Sequence, residues 1–187
     1  MATLTKTQKN FLNTHSIELS EMFDATGMKR AEIKLQMELE SKKFTYGDTP
    51  CVNAGHTLRN LTGKCIQCSP ASIEFQRRYF AEAFVYIANS DSINFIKIGV
   101  TNNLLARQLT LNKSRYAGVS DWSLVYYAQA PNAGRVENNL QKELREHQVF
   151  ETYVRNGIDV TCNELFDFPL NEAISLLDKL VESNEQI

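Results

Sequence analysis

Four potential metal ligands lie within eighteen residues, in Cys51-Val52-Asn53-Ala54-Gly55-His56 and then Cys65-Ile66-Gln67-Cys68. The spacing is C-x4-H followed by C-x2-C. Zinc takes four soft or borderline ligands in a tetrahedron, and C-x2-C lets two thiolates hold one ion from a tight knuckle. The polar chain around them could not bury these side chains as ordinary core residues, so a structural Zn²⁺ is expected on Cys51, His56, Cys65 and Cys68. Arg59 and Lys64 make the intervening loop basic. Cys162, far downstream, reads as an ordinary semi-buried cysteine. Clustered cysteines of this kind imply metal rather than disulfides, and so a reducing compartment.

A second set of reactive side chains is spread over a longer stretch. Two runs rich in β-branched and aromatic residues, 84–88 and 95–100, flank the turn-forming segment 89–94 and predict a hairpin. Closed symmetrically about that loop, Ala88 faces Phe95 and Tyr86 faces Lys97, with Cβ atoms roughly 5 Å apart on one face. A phenol beside an ammonium is unusual packing and useful chemistry. The hairpin is followed by Thr101-Asn102-Asn103, which can cap a helix from Leu104 to about Leu111. Arg107 shares a face of that helix with Leu104 and Leu111, which leans it toward the sheet and toward Tyr86 and Lys97. Glu137 lies beside the apolar stripe Val136, Leu140 and Leu144 of a later helix. A carboxylate at the edge of a core stripe is expensive unless it is paired or binds a cation.

The elements that must position these groups follow from periodicity and turn residues. From Thr5 to Lys43 the chain reads as helical. Ser16 caps a segment through Ala25, Gly27 breaks it, and a second helix from Met28 to about Lys43 carries Ile33, Leu35, Met37 and Leu39. Two helices about a glycine could be a helix-turn-helix reader, although a helical scaffold or dimerisation element is the better reading. Ser72 to Glu82 reads as a helix with Phe75, Tyr79 and Phe80 inward and Arg77 and Arg78 outward. Trp122 to Ala128 makes a third strand, and Pro131-Asn132-Ala133-Gly134 turns the chain into the helix that carries Glu137. Glu164-Leu165-Phe166 returns to the core as a strand or turn. A last helix runs from about Leu170 to Glu182, and the tail 183–187 should be frayed. The fold class expected is α+β, a small antiparallel three-stranded sheet flanked by helices. The expected domains are a helical region at 1–50, a zinc finger at 51–70 and the α+β domain at 72–183.

The net charge of -2 over 187 residues hides a segregation. Residues 51–120 carry eight cationic and three anionic side chains, whereas residues 151–187 carry two and eight. The middle of the chain can therefore attract a polyanion that the whole would not. No charged start with an apolar h-region and no run of ~20 apolar residues is present, which predicts a soluble, cytoplasmic protein with no membrane partner.

Residues 84–168 resemble a GIY-YIG nuclease domain, in the branch whose second motif reads Ile-Lys-Ile-Gly followed by threonine, asparagine and later arginine. The first motif is Val85-Tyr86-Ile87, with valine in place of glycine. The second is Lys97-Ile98-Gly99, with lysine in place of the usual tyrosine. Arg107 and Glu137 match the helix arginine and the metal-binding glutamate, and Glu164-Leu165-Phe166 resembles the branch's acidic-x-aromatic signature. The closing asparagine has no clear match, and the histidine one turn after the glutamate is Gln141. The Cys/His segment also resembles small treble-clef-like fingers attached to nuclease domains.

The resemblance implies a metal-dependent DNA endonuclease in which Tyr86 acts as or positions the base, with Lys97 as its charged neighbour. Glu137 would hold one Mg²⁺ or Mn²⁺. Phosphodiester hydrolysis needs an in-line nucleophile and neutralisation of charge on the phosphoryl oxygens, and an arginine such as Arg107 can bind such an oxygen bidentately. Arg59, Lys64, Arg77, Arg78, Lys113, Arg115 and Tyr116 are the expected contacts to double-stranded DNA. A double-strand break would then need a homodimer or two successive nicks. A catalytically inactive zinc-containing DNA-binding protein is the alternative left by Val85 and Lys97, and a protein-interaction module is a third reading.

Overall fold

The computed structural model describes residues 3–155 and 157–185. Among them are six α-helices and two sheets, of three and five strands, an α+β architecture. The chain divides into two compact units, Met1–Arg78 and Tyr79–Ile187. No helix of the described residues is long and apolar enough to cross a membrane.

In the first unit α1 (Lys6–Thr14) starts on a capping box, Thr5 accepting from the Gln8 amide while the Gln8 side chain accepts from the Thr5 amide. The helix expected from Ser16 to Ala25 is not formed. Ser16 adopts a left-handed φ of 50°, and β1 (Met22–Asp24) follows as a strand. After α2 (Arg30–Leu39), β1 pairs in parallel with β2 (Phe44–Tyr46), which pairs antiparallel with β3 (Arg59–Asn60). Met22 and Phe44 are thereby buried with Leu12, Ile17, Leu58 and Ile66. This long-range burial overrides a local helical pattern, because propensity differences are only tenths of a kcal/mol per residue. A strand thus separates α1 from α2, and the helix-turn-helix alternative is excluded. In α2 Ile33 and Met37 are buried, whereas Leu35 and Leu39 are exposed.

Because β3 lies inside the Cys/His segment, that segment and the N-terminal region share one sheet rather than forming separate pieces at residue 50. Arg30 crosses between them, pairing with Asp48 at 3.2 Å and donating to the carbonyls of Asn60 and Leu61. In α3 (Ala71–Phe80) the inward face is Ser72, Ile73 and Gln76. Phe75, expected inward, is exposed.

The second unit runs β4 (Ala83–Ser90), β5 (Ile93–Thr101), α4 (Leu104–Lys113), β6 (Ser123–Ala130), α5 (Ala133–Glu143), β7 (Gln148–Arg155), β8 (Ile158–Phe166) and α6 (Leu170–Glu185). The sheet order is β6-β4-β5-β8-β7, antiparallel throughout. The expected three-stranded sheet is therefore too small; it corresponds to β6-β4-β5. The β7–β8 hairpin adds two strands, joined where Lys97 pairs with Leu165 and Ile96 with Phe166. The signal overlooked was Asn156-Gly157, a strong hairpin dipeptide, between two β-branched runs. Residues 186 and 187 of the expected frayed tail lie outside the described residues.

Successive residues of β4 serve opposite faces, as the period-2 pleat requires. Val85 and Ile87 join Val136, Leu140, Leu144 and Leu177 of α5 and α6 in one core. Tyr86 and Ala88 join Leu111, Trp122, Tyr153 and Leu165 in a second core on the other face, under α4. Tyr86 and Lys97 lie on this second face.

Candidate active site and metal centre

In the first unit Cys51, His56, Cys65 and Cys68 converge, with all four candidate ligand atoms within 4.8 Å of one another. The Cys51 amide donates to the His56 carbonyl at 2.8 Å and the Gly55 amide to the Cys51 carbonyl at 2.9 Å, a turn that Gly55 permits at φ +66°. The second pair forms a knuckle closed by the Ser69 amide on the Cys65 carbonyl. Cys51 and Cys68 sulfurs are 3.7 Å apart, and His56 Nδ1 lies 3.4 and 3.7 Å from the sulfurs of Cys68 and Cys65. A tetrahedron with Zn–S bonds of about 2.3 Å has S–S edges of about 3.8 Å, so the cluster has the size of a zinc site. These residues could hold a metal ion. Zinc analysis of protein purified without chelators should return one Zn²⁺ per chain, and Cys65→Ser should lose it and unfold the first unit at a lower temperature. A chain that retains full stability after complete metal removal would exclude a structural ion.

Around this cluster Arg59 donates to the carbonyls of Thr49, at 2.5 Å, and Gly63. Arg77 donates to the carbonyls of His15 and Ser16 and pairs with Glu74. Both arginines, expected on DNA, thus have donors engaged inside the first unit. Lys64 and Arg78 are both exposed.

In the second unit the hairpin register differs from the symmetric closure. Ser90 pairs with Ile93 as that closure requires, but a bulge between Asn89 and Ser90 shifts everything beyond by two residues. Tyr86 therefore faces Gly99, and Lys97 faces Ala88. A two-residue slip preserves the face, so Lys97 Nζ still lies 5.7 Å from the Tyr86 ring centroid. The glycine opposite Tyr86 is a steric requirement. A Cβ on Gly99 would fall 2.6 Å from Tyr86 Cζ. Tyr86 is fully buried and its ring cannot swing away freely. Gly99→Ala should destabilise the domain by about 2 kcal/mol through overpacking and drive the phenol off its partner; an urea titration unchanged from the parent would contradict this.

That partner is Arg107, whose Nε–H donates to Tyr86 Oη at 2.7 Å. Asn103 caps α4 by accepting from the Ala106 amide. Asn112 fixes the other end of the helix, donating to the Trp122 carbonyl and accepting from the Trp122 amide, and Gln108 accepts from the Leu124 amide. These amide side chains seat α4 on β6 and so aim Arg107 at Tyr86. Sequence reading missed them, because nothing local distinguishes a clamping asparagine from a solvated one.

Lys97 is completely buried. Its ammonium donates to Glu164 at 2.6 Å and to the Ile98 carbonyl at 3.0 Å, and faces the Tyr116 ring at 5.0 Å. Glu164 is 40% exposed, so this ion pair has one dry and one wet end. Sequence reading noticed Glu164 only as part of a signature and did not find its partner. Tyr116 packs edge-on to Trp122, and burial followed by the charge of Glu164 pushes its phenol far above the usual range. It remains protonated.

Glu137 projects from α5 and accepts from Gln141 Nε2 at 3.3 Å. Burial, and then the charge of Glu164, push its carboxyl up to about 7, against the opposing pull of Lys97 and Arg107. Five elements, β4, β5, α4, α5 and β8, thus bring the Tyr86 phenol, two cations and two carboxylates close together. A carboxylate this strongly disfavoured as an anion is a functional-site candidate.

The second unit is thus an antiparallel sheet with helices that brings a phenol, an arginine and a half-buried carboxylate into one electrostatic cluster. The chain belongs to the T5orf172 domain family, whose model matches residues 83–181, more than half of its length. That family is nuclease-associated and related to GIY-YIG-like endonucleases, with DNA as the corresponding substrate class. No curated protein and no solved structure matches the chain.

Proposed function

We propose that residues 83–181 form a metal-dependent endonuclease that hydrolyses phosphodiester bonds of double-stranded DNA. The observation that carries this reading is the 2.7 Å bond from Arg107 to Tyr86, in electrostatic reach of a Glu137 carboxyl held near neutrality. With its oxygen accepting from Arg107, Tyr86 keeps its own O–H for a water, and so orients the nucleophile. The remaining Arg107 donors bind a phosphoryl oxygen and offset the charge that develops there. The Lys97 ammonium is held by Glu164 and the Ile98 carbonyl, so it acts as a positioning residue that anchors Glu164 and the Tyr86 and Tyr116 rings.

Glu137, with the Glu164 carboxylate in electrostatic reach, offers the kind of hard oxygen ligand that Mg²⁺ or Mn²⁺ takes, and such an ion would stabilise the leaving oxygen. The raised pKa of Glu137 fits this set, since a carboxyl awaiting a cation is costly to ionise without one. The Cys/His unit adds Arg78 and Lys64 as backbone contacts, and dimerisation would convert nicks into double-strand breaks. Incubation with supercoiled plasmid should yield relaxed circles in Mg²⁺ or Mn²⁺ and none in EDTA. Plasmid left intact under every divalent metal tried would favour a DNA-binding protein with an inactive core.

A further inference from the structure

The second unit contains a cleft of about 520 Å³ that the site described above does not use, lined by Thr110, Lys113, Ser114 and Arg115 with Val154 and Arg155. Three cations converge there from two elements distant in sequence, the end of α4 and the end of β7. No acidic residue lines it, and the chain has none from Ser92 to Ser120. Among the described residues none of the three cations takes part in an ion pair. The contrast with the other cations is informative. Arg30, Arg59, Arg77, Lys97 and Arg107 all donate to groups of the protein itself. Lys113, Arg115 and Arg155 are exposed, and Arg115 holds a left-handed φ of 48°, a conformation uncommon for a side chain of its kind.

The cleft also has a defined relation to Arg107. Thr110 and Ser114 follow Arg107 at i+3 and i+7, the spacing of one helical stripe. At 1.5 Å per residue Ser114 is about 10 Å along α4 from Arg107. Successive phosphates on one DNA strand advance about 3.4 Å along the axis, so the separation is about three nucleotides. We infer that this cleft is a backbone-binding site that grips a DNA phosphate about three nucleotides from the scissile one, with Arg155 of the β7–β8 hairpin as the anchor opposite Lys113 and Arg115. The hairpin beyond the expected three strands then has a purpose, since it supplies the second wall. Spanning cleft and active site would set both the minimum substrate length and the position of the cut relative to the grip. The distance to the cut rests on the endonuclease reading; the grip itself does not.

The test uses the full chain carrying Glu137→Gln, without added divalent metal, and a fluorescently labelled DNA duplex titrated at several sodium chloride concentrations. Adding Arg155→Ala should weaken binding by about tenfold at low salt and reduce the slope of log affinity against log salt by about one, because one fewer phosphate is neutralised. Arg155→Lys should recover most of both. Arg155 is exposed at a strand end, so the thermal melt should be unchanged. Affinity and slope equal to the parent's would overturn the cleft. Inorganic phosphate bound equally by the parent and Arg155→Ala, with the duplex affinity unchanged between them, would likewise overturn it. A wild-type chain that cuts nothing, but whose Arg155→Ala variant loses affinity and slope, would sink the endonuclease reading and leave the grip standing.

Discussion

Glu137→Gln should lower plasmid nicking by at least about a hundredfold and at the same time make the protein more stable at pH 8. Loss of one preorganised electrostatic group at a reacting phosphate commonly costs two to three orders of magnitude in rate. The gain in stability follows from the carboxyl's position. Its folded pKa is pushed up to about 7 from an ordinary 4.5, first by burial and then by Glu164. Below the unfolded value the carboxyl is neutral in both states and contributes no penalty. As pH rises from about 4.5 to 7 the unfolded chain ionises first, and the native state loses on the order of 3 kcal/mol relative to it, a penalty complete above pH 7. Glutamine removes the ionisation, so the difference between variant and parent in urea unfolding should be small at pH 4.5 and largest above pH 7. Mg²⁺ should shrink that difference by favouring the anion in the parent. A variant that loses activity because it is misfolded would show the opposite sign of stability change. A variant as active as the parent would remove Glu137 from the site.

Removing Glu164 should be the most damaging change to the fold of the second unit. Lys97 is completely buried, and Glu164 is its only carboxylate partner among the described residues. Taking away one partner of a buried pair leaves an uncompensated charge, which costs about 3–5 kcal/mol when both groups are dry. Water reaches the half-exposed Glu164, so Glu164→Ala is expected nearer 2–3 kcal/mol. The reciprocal change should be milder. Lys97→Met fills the same space and leaves a carboxylate that can turn to solvent, for about 1 kcal/mol or less. The double variant Lys97→Met/Glu164→Ala should then be more stable than Glu164→Ala alone, a coupling that a double-mutant cycle in urea reads directly. Equal losses for the two single variants would mean that the burial asymmetry of the pair has no energetic consequence. Lys97→Met is also expected to reduce nicking while retaining fold, since Tyr86 and Glu164 lose a common anchor.

Much of the molecule was legible from residue types alone, and the reason is local in each case. The zinc-sized cluster shows itself because four ligand types at short spacing have few other uses. The β4–β5 hairpin, α4 with its asparagine cap, and the stripe Val136-Leu140-Leu144 of α5 follow from periodicity and capping chemistry, which short segments carry by themselves. The same reasoning failed for Met22–Asp24, where pairing with residues more than twenty positions away decides a strand, and for the bulge at Asn89 that resets the hairpin. It also missed β7 and all of β8 before Glu164-Leu165-Phe166, where the alternation is diluted by Glu151, Thr152 and Asp159 on exposed positions.

The sequence by itself determined which groups are available for chemistry: a phenol, an arginine, a glutamate and a Cys/His set, each on an element that its own neighbours encode. Only the tertiary structure decided how they are used. It put Gly99 rather than Lys97 opposite Tyr86, because a bulge is a property of two strands together. It bound Lys97 to Glu164 across 67 positions of chain and set Arg107 on the Tyr86 hydroxyl. It also brought Arg155 to Lys113 and Arg115. Long-range electrostatics and burial depend on what folding brings within a few ångströms, and spacing along the chain does not contain that information.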